Sequence, residues 1–388
     1  MQRKITVGVD GGDVRGQDNR AIQIAVDALP PNGGTIEILP GEYTCDDAVH
    51  LRSGVRLVGS GEKTVLRNGP GFCTSVRVDA DYGQYKVTPK DASGFRPGMR
   101  VYVRDDGAGG WLESTATIER IDNGVLYLDK HLMMDYAMAR NATVSNAGAL
   151  ISTLDATDVR IENFVVDGNR RTHQKAGGCR VGGVYLHRVK RATMTDLLVR
   201  DFAGDGISFQ ITQDVSLSHV RATKCSNFGI HPGTGSARVR MTDCDFSEND
   251  GGGYFLCWRV QESTFQRLRC VGNGQFGISI GHKDTDNTFI DCLLRDNGEA
   301  GLVFRSEVEG NGAHRNTWRN CELAGSKTAI FGRPQTYDNI FENCRIGERC
   351  ECAAVLPVGT KRFVFRDCTW KAGVRNEGGA EAGHVGLP

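Results

Sequence analysis

The sequence predicts an all-β chain wound as a right-handed parallel β-helix, and three observations predict it. The first is a strand phrase that recurs. "GGVYLHRV", "GDGISFQI", "NFGIHPGT", "GGGYFLCW", "QFGISIGH" and "EAGLVFRS" align on Gly183, Gly206, Gly229, Gly253, Gly277 and Gly301, in steps of 23 or 24 residues. A weaker copy, "KTAIFGRP", follows with Ala329 in the glycine place. A fixed period of this size with one short strand per unit is the pattern of a solenoid. The second observation is another phrase half a period later: "RMTDCDF", "TFIDCLL", "TWRNCEL", "IFENCRI" and "VFRDCTW". It puts Cys244, Cys292, Cys321, Cys344 and Cys368 in one column, where other coils carry Leu197, Val220 and Leu268. The third is Asn249, Asn273 and Asn297, each four residues before its glycine. Such a row reads as an amide ladder that satisfies backbone groups from coil to coil. Three short strands with turns fit one repeat, whereas a left-handed hexapeptide coil closes in roughly 18 residues.

Composition agrees. The 388 residues carry 47 basic and 47 acidic side chains, so no global charge draws the chain to nucleic acid or to an anionic membrane. Fifty glycines against 10 prolines suit many tight turns between short strands. No apolar run approaches the ~20 residues of a membrane-spanning helix. The start "MQRKITVGVDGG" has no apolar stretch of signal-peptide type. The compartment stays open between the cytoplasm and a processed secreted or periplasmic form. Thirteen cysteines cannot all pair internally, and an alternation of Cys with Leu and Val marks a packed interior rather than zinc ligands, which cluster as C-x2-4-C.

Along the chain, residues 1–83 read as an N-terminal cap and first coils. "DNRAIQIAVDAL" places Ala21, Ile22, Ala25, Val26 and Leu29 at helical spacing, with Asp18 or Asn19 as cap. An amphipathic helix here would plug the open apolar end that a solenoid exposes. "VGSGEKT" imitates a phosphate-binding loop, but Glu62 stands between the glycine and Lys63, so it reads as a turn. Residues 84–147 break the rhythm and predict a small inserted β subdomain, with Asn123-Gly124 as a hairpin turn and Trp111, Asp135 and Tyr136 in its loops. Residues 148–373 are the main coils, and 374–388 a tail.

The N-terminal phrases "DNRAIQIAVDAL", "GGTIEILPGEYT" and "GVRLVGSGEKTVL" resemble the start of the pectate-lyase-like β-helix superfamily. That superfamily includes polysaccharide lyases, glycoside hydrolases, epimerases and phage tailspikes. The resemblance implies the fold and a carbohydrate partner; it does not specify a reaction.

Strand alternation selects the side chains available for chemistry. Counting from each glycine, positions +1 and +3 are apolar and face inward. Positions +2 and +4 face outward and include Tyr185, His187, Ser208, Gln210, His231, Phe255, Ser279 and Arg305. Arg259, His282, Lys283, Asp284 and Glu307 lie just beyond the strands, and Arg333 ends the row. Coils stack ~4.8 Å apart, so these residues form a basic stripe with aromatic rings in it. Gly233, Ser279 and Gly281 leave room for a ligand.

A long cationic and aromatic face suits an anionic oligo- or polysaccharide. β-Elimination of a uronate needs a cation on its carboxylate, a base for the C5 proton and an acid for the leaving oxygen. In this reading Arg305 or Arg333 holds the uronate and Lys283 or His282 takes the proton, with His231 on the same patch. Arg259, Arg333, Phe255, Tyr185, His187 and Asp205 line the substrate path. Lys/Arg pairs one coil apart are also what the superfamily resemblance implies for lyases. Hydrolysis is the alternative, with Asp284 and Glu307 as the carboxylate pair. A pectin hydrolase would carry "GHG" where this chain has Phe276-Gly277. A non-catalytic glycan-binding β-helix of tailspike type is the third reading. No cofactor is required; calcium at Asp284, Asp286 and Glu307 is the one metal the reading leaves open. The chain is expected as a monomer or a homo-oligomer, a trimer included.

Overall fold

The computed structural model describes residues 3–388. The chain forms two compact units. One takes the described residues to 154 together with 162–185 and 199–208; the other takes 155–161, 186–198 and 209–388.

In the first unit, Lys4–Gly8 pairs in parallel with Gly34–Ile38, which pairs in turn with the start of Val55–Asn68. The α-helix Asn19–Asp27 begins where the Asp18 carboxylate accepts the Ala21 N–H at 3.1 Å. It buries Ala21, Ile22, Ala25 and Val26 against the strands Lys4–Gly8 and Val49–Leu51. Six antiparallel strands form a separate sheet in the order Cys73–Ser75, Thr143–Ser145, Arg100–Arg104, Ser114–Asp122, Val125–Leu128 and Lys86–Val87. Its first strand lies ahead of residue 84. Asn123 and Gly124 both have positive φ and join two of its strands, the geometry a two-residue hairpin turn requires. Tyr136, expected in a loop, pairs with Ala80 and is fully buried in this subdomain's core, and its hydroxyl bonds Ser114 and the Leu112 carbonyl.

The second unit is a stack of coils, most of them contributing three short parallel strands. The glycine phrases form one ladder: Ile230–Gly233, Gly252–Phe255, Phe276–Ile280, Ala300–Phe304, Thr328–Phe331 and Cys352–Leu356. The strands before and after the cysteines form the other two, as at Thr288–Ile290 and Leu293–Arg295. Inward side chains stack on themselves. Phe265, Phe289, Trp318, Phe341 and Phe365 follow one another, with Phe289 and Trp318 only 3.8 Å apart and 2° from coplanar. Cys244, Cys292, Cys321 and Cys344 are buried at the next corner, and their thiols donate to backbone carbonyls such as Phe265 O and Phe289 O. Burial pushes the Cys244 thiol up to about 11.

Two asparagine ladders close the turns. Asn249 and Asn273 each give Nδ2 and N–H to the Oδ1 of the next coil's asparagine, at 2.9–3.1 Å. A second ladder runs through Asn287, Asn316 and Asn339 by the same geometry. Ser263 and Asn287 extend it backward through Val239 N and Ser263 N. Outside, arginines and aspartates at left-handed turn positions pair coil to coil, as Arg267 does with Asp243 and Arg315 with Asp286.

Candidate functional site

The outward face of the glycine ladder in the second unit sets the site. Phe255, Ser279, Val303 and Phe331 are register partners in successive coils. His231 follows Ile230, the partner of Tyr254, and so stands one coil before Phe255. Its ring meets Phe255 edge-on at 5.0 Å. Phe228 lies 4.4 Å from Phe255 and nearly parallel to it, and Phe276 closes the cluster at 5.6 Å from Phe228.

Arg305 crosses this row. Its guanidinium lies 4.3 Å over the Phe255 ring and donates to Ser279 Oγ at 2.9 Å, to the Leu256 carbonyl at 2.6 Å and to Asp284 Oδ2 at 3.2 Å. Gly281 makes that position available, since a Cβ there would come within 2.6 Å of Arg305 Nε. The space expected for a ligand at Gly281 therefore holds a protein cation. The space at Gly233 is likewise taken, by the Gln210 side chain.

Asp284 is not an open carboxylate. It is wholly buried, and it accepts Val260 N–H at 2.9 Å and Gly281 N–H at 2.7 Å besides Arg305. Burial raises its pKa, against the lowering pull of Arg305 and the two N–H groups. Turn geometry explains the difference. Lys283 takes a left-handed φ of 53°, so the alternation of the strand stops before Asp284, and its side chain turns into the coil.

The groups that reach solvent meet one step along. His282 Nδ1 lies 2.9 Å from Glu307 Oε2, both partly exposed. The Trp258 indole lies 4.7 Å from the His282 ring and tilted by 32°, with half of its surface exposed. Arg259 sits 5.8 Å from the same indole. Lys283 and Arg333 are exposed, and Arg333 lies 4.3 Å over Phe331. Asp286 pairs with Arg315. Among the described residues no group of three or more metal-ligating side chains is gathered at one point.

Tyr185 and Asp205 fall in the first unit, and both are buried. The Tyr185 hydroxyl donates to the Cys179 carbonyl at 2.8 Å, and Asp205 has no exposed surface. Neither is the open substrate contact that the sequence predicts: Tyr185 is tied to the segment before its strand, at Cys179, and Asp205 is fully enclosed. Ser208 and Gln210 are buried as well, and His187 is half-buried. Trp258 and Phe228 were not singled out by the spacing. The one signal for Trp258 was its place at the end of "GGGYFLCW", a large apolar ring just past a strand and followed by Arg259.

Comparison with known proteins adds the following. The family described as right handed beta helix region matches residues 134–311. The A-modules of two mannuronan C-5 epimerases of Azotobacter vinelandii have similar folds, both at 14% identity. One gives a TM-score of 0.62 over 98% of this chain and 100% of its own, the other 0.63 over 98% of each. A polygalacturonase of Erwinia carotovora ssp. carotovora is similar over 100% of this chain and 96% of its own, with a TM-score of 0.54 at 11% identity. At such identities the likeness is one of fold. No curated protein matches by sequence. Among the described residues no helix is long and apolar enough to cross a membrane.

Proposed function

We propose that this chain, wound as a right-handed parallel β-helix, is an enzyme that cleaves an acidic glycan by β-elimination at the Trp258–His282–Glu307 patch. The observation that carries the reading is a half-exposed indole lying over a histidine that is held by a carboxylate. An exposed indole is a platform for a sugar face, and the histidine beside it is an acid–base group. In this reading Glu307 accepts a hydrogen bond from a protonated Nδ1, which leaves Nε2 as the proton acceptor.

In the proposed step His282 removes the C5 proton of a uronate. The electron pair forms the C4–C5 double bond, and the C4–oxygen bond breaks. Lys283, on the adjacent exposed turn, protonates the departing oxygen. The uronate carboxylate is paired by Arg259, beside Trp258, while Arg333, three coils along, would meet a further acidic residue of the same glycan. Arg305 contributes from beneath, its donors already engaged by Ser279, Leu256 and Asp284. Carboxylate-pair hydrolysis is less well supported, because both Asp284 oxygens are enclosed by backbone donors and Arg305. The epimerase and polygalacturonase neighbours act, by their names, on mannuronan and on polygalacturonate, which supports an acidic glycan as the partner.

The test is a panel of uronate-containing and neutral polysaccharides read for ultraviolet absorbance of unsaturated uronates and for reducing ends. The reading expects both signals to rise together on an acidic member. Reducing ends without absorbance would mean hydrolysis, and binding without either signal would mean a non-catalytic β-helix.

A further inference from the structure

The first unit carries a cavity that the proposed reaction does not use. It is small and partly open, and His50, Arg100, Lys130, Arg180, Ser152 and Tyr185 contribute to its wall. Four of these six side chains are basic.

The two arginines are held with donors to spare. Arg100 is nearly buried, with 11% of its side chain exposed, and donates Nη2 to the Ala149 carbonyl at 2.8 Å. Its Nε is buried without a hydrogen-bond partner. The nearest carboxylate, Asp47, stays 3.9 Å from Nη2, beyond a good hydrogen bond. Arg180 lies 4.9 Å over the Trp111 ring and donates to the Trp111 carbonyl, and its Nε too is buried and unpartnered. A guanidinium kept from water with an unused donor is costly unless an acceptor reaches it.

The seat for Arg100 is built by a missing side chain. A Cβ at Gly148 would fall 1.7 Å from Arg100 Nη2, so only glycine lets the guanidinium lie there. The countercharges nearby are already engaged. Asp47 lies 3.6 Å from His50, and Asp129 accepts the Thr117 N–H at 2.6 Å. Glu113 lies 3.9 Å from Arg104, with its pKa raised by burial.

We infer that this cavity binds the carboxylate of an acidic sugar residue, with Arg100, Arg180 and Lys130 as its cationic contacts and the Ser152 and Thr115 hydroxyls beside them. A planar fork opposite an oxyanion is the geometry in which arginine binds best. The sugar class rests on the proposed function; the oxyanion chemistry rests on the cavity alone.

The test is calorimetry or ligand-observed NMR on the full chain with methyl glucuronoside, methyl glucoside and sodium sulfate. Methyl glucuronoside should bind and methyl glucoside should not. Arg180→Gln and Gly148→Ala should each weaken binding about tenfold or more, the loss of one charged hydrogen-bonding group. Lys130→Gln, at an exposed position that folding does not need, should weaken it severalfold. Trp258→Ala should leave it unchanged, which separates this site from the proposed reaction centre. No binding of either anion, or equal binding by wild type and all three cavity variants, would overturn the inference. Sulfate binding without glucuronoside binding would overturn its assignment to an acidic sugar.

Discussion

His282 and Trp258 are the residues on which the chemistry turns. Replacing His282 with Ala should lower turnover of the responsive glycan about 10²–10⁴-fold, the usual worth of a positioned acid–base group. Its fold should survive, since the ring is partly exposed. Glu307→Gln should cost less and should shift the pH profile, because it alters the partner of Nδ1 rather than the proton acceptor. Arg305→Ala should behave differently: it leaves Asp284 buried without its cation, which costs roughly 3 kcal/mol or more, so the variant should lose stability first. These side chains were only partly legible in the sequence. Alternation identified the row Phe255–Ser279–Val303–Phe331 because a strand has period two. It failed just past each strand. Trp258, Arg259 and Lys283 adopt left-handed φ of 62°, 65° and 53°, and each such turn redirects the side chains that follow. Hence Asp284 went inward, and Trp258, which no strand count reached, came out beside His282.

The repeating turn is the element that holds the coils in register. Asn273 Oδ1 accepts both the N–H and the Nδ2 of Asn249, and its own Nδ2 donates to Asn297 Oδ1, so Asn273→Ala removes three bonds inside a buried turn. It should destabilise by roughly 2–4 kcal/mol, measured by denaturant unfolding. Asp243→Asn, on an exposed coil-to-coil pair with Arg267, should leave the melting temperature unchanged within error. The cysteine corner should be inert. Native-state thiol titration should find Cys73 exposed and quick, and Cys244, Cys292, Cys321 and Cys344 slow. The Asn249 ladder was legible because it sits at a constant distance from the glycines. The Asn287–Asn316–Asn339 ladder was equally regular, five residues before Cys292, Cys321 and Cys344. It is less visible because the recurring phrases "TFIDCLL", "TWRNCEL" and "IFENCRI" begin at the strand, one residue after each asparagine.

For the molecule as a whole, the response to acid follows from partly or wholly buried neutral histidines in both units. Burial lowers the pKa of His173, His314 and His384 below the ordinary 6.5. The Nδ1 atoms of His314 and His384 accept the Tyr337 and Phe363 N–H groups, contacts that a proton at Nδ1 would break. The unfolded chain takes up these protons near 6.5, and the folded chain only at lower pH. Stability should therefore hold above 6.5 and fall as the pH drops from there toward the folded values. Asp214 and Asp338, held low by Arg238 and Arg362, should add a second loss only below about 4. Asp284 has the opposite sign, and its protonation in acid offsets part of the loss. A scan of melting temperature against pH, with His384→Asn flattening the first slope, checks this. The winding itself was legible because each coil repeats one pattern. The site was less so, because it is where the pattern breaks.

The most direct test of the proposed reaction is proton NMR of the responsive acidic glycan incubated with wild type and with His282→Ala. The proposal predicts that wild type removes the C5 proton signal and produces a vinylic C4 proton, and that His282→Ala, equally well folded, does neither. Chain cleavage with the C5 proton retained, or equal vinylic product from His282→Ala, would contradict it.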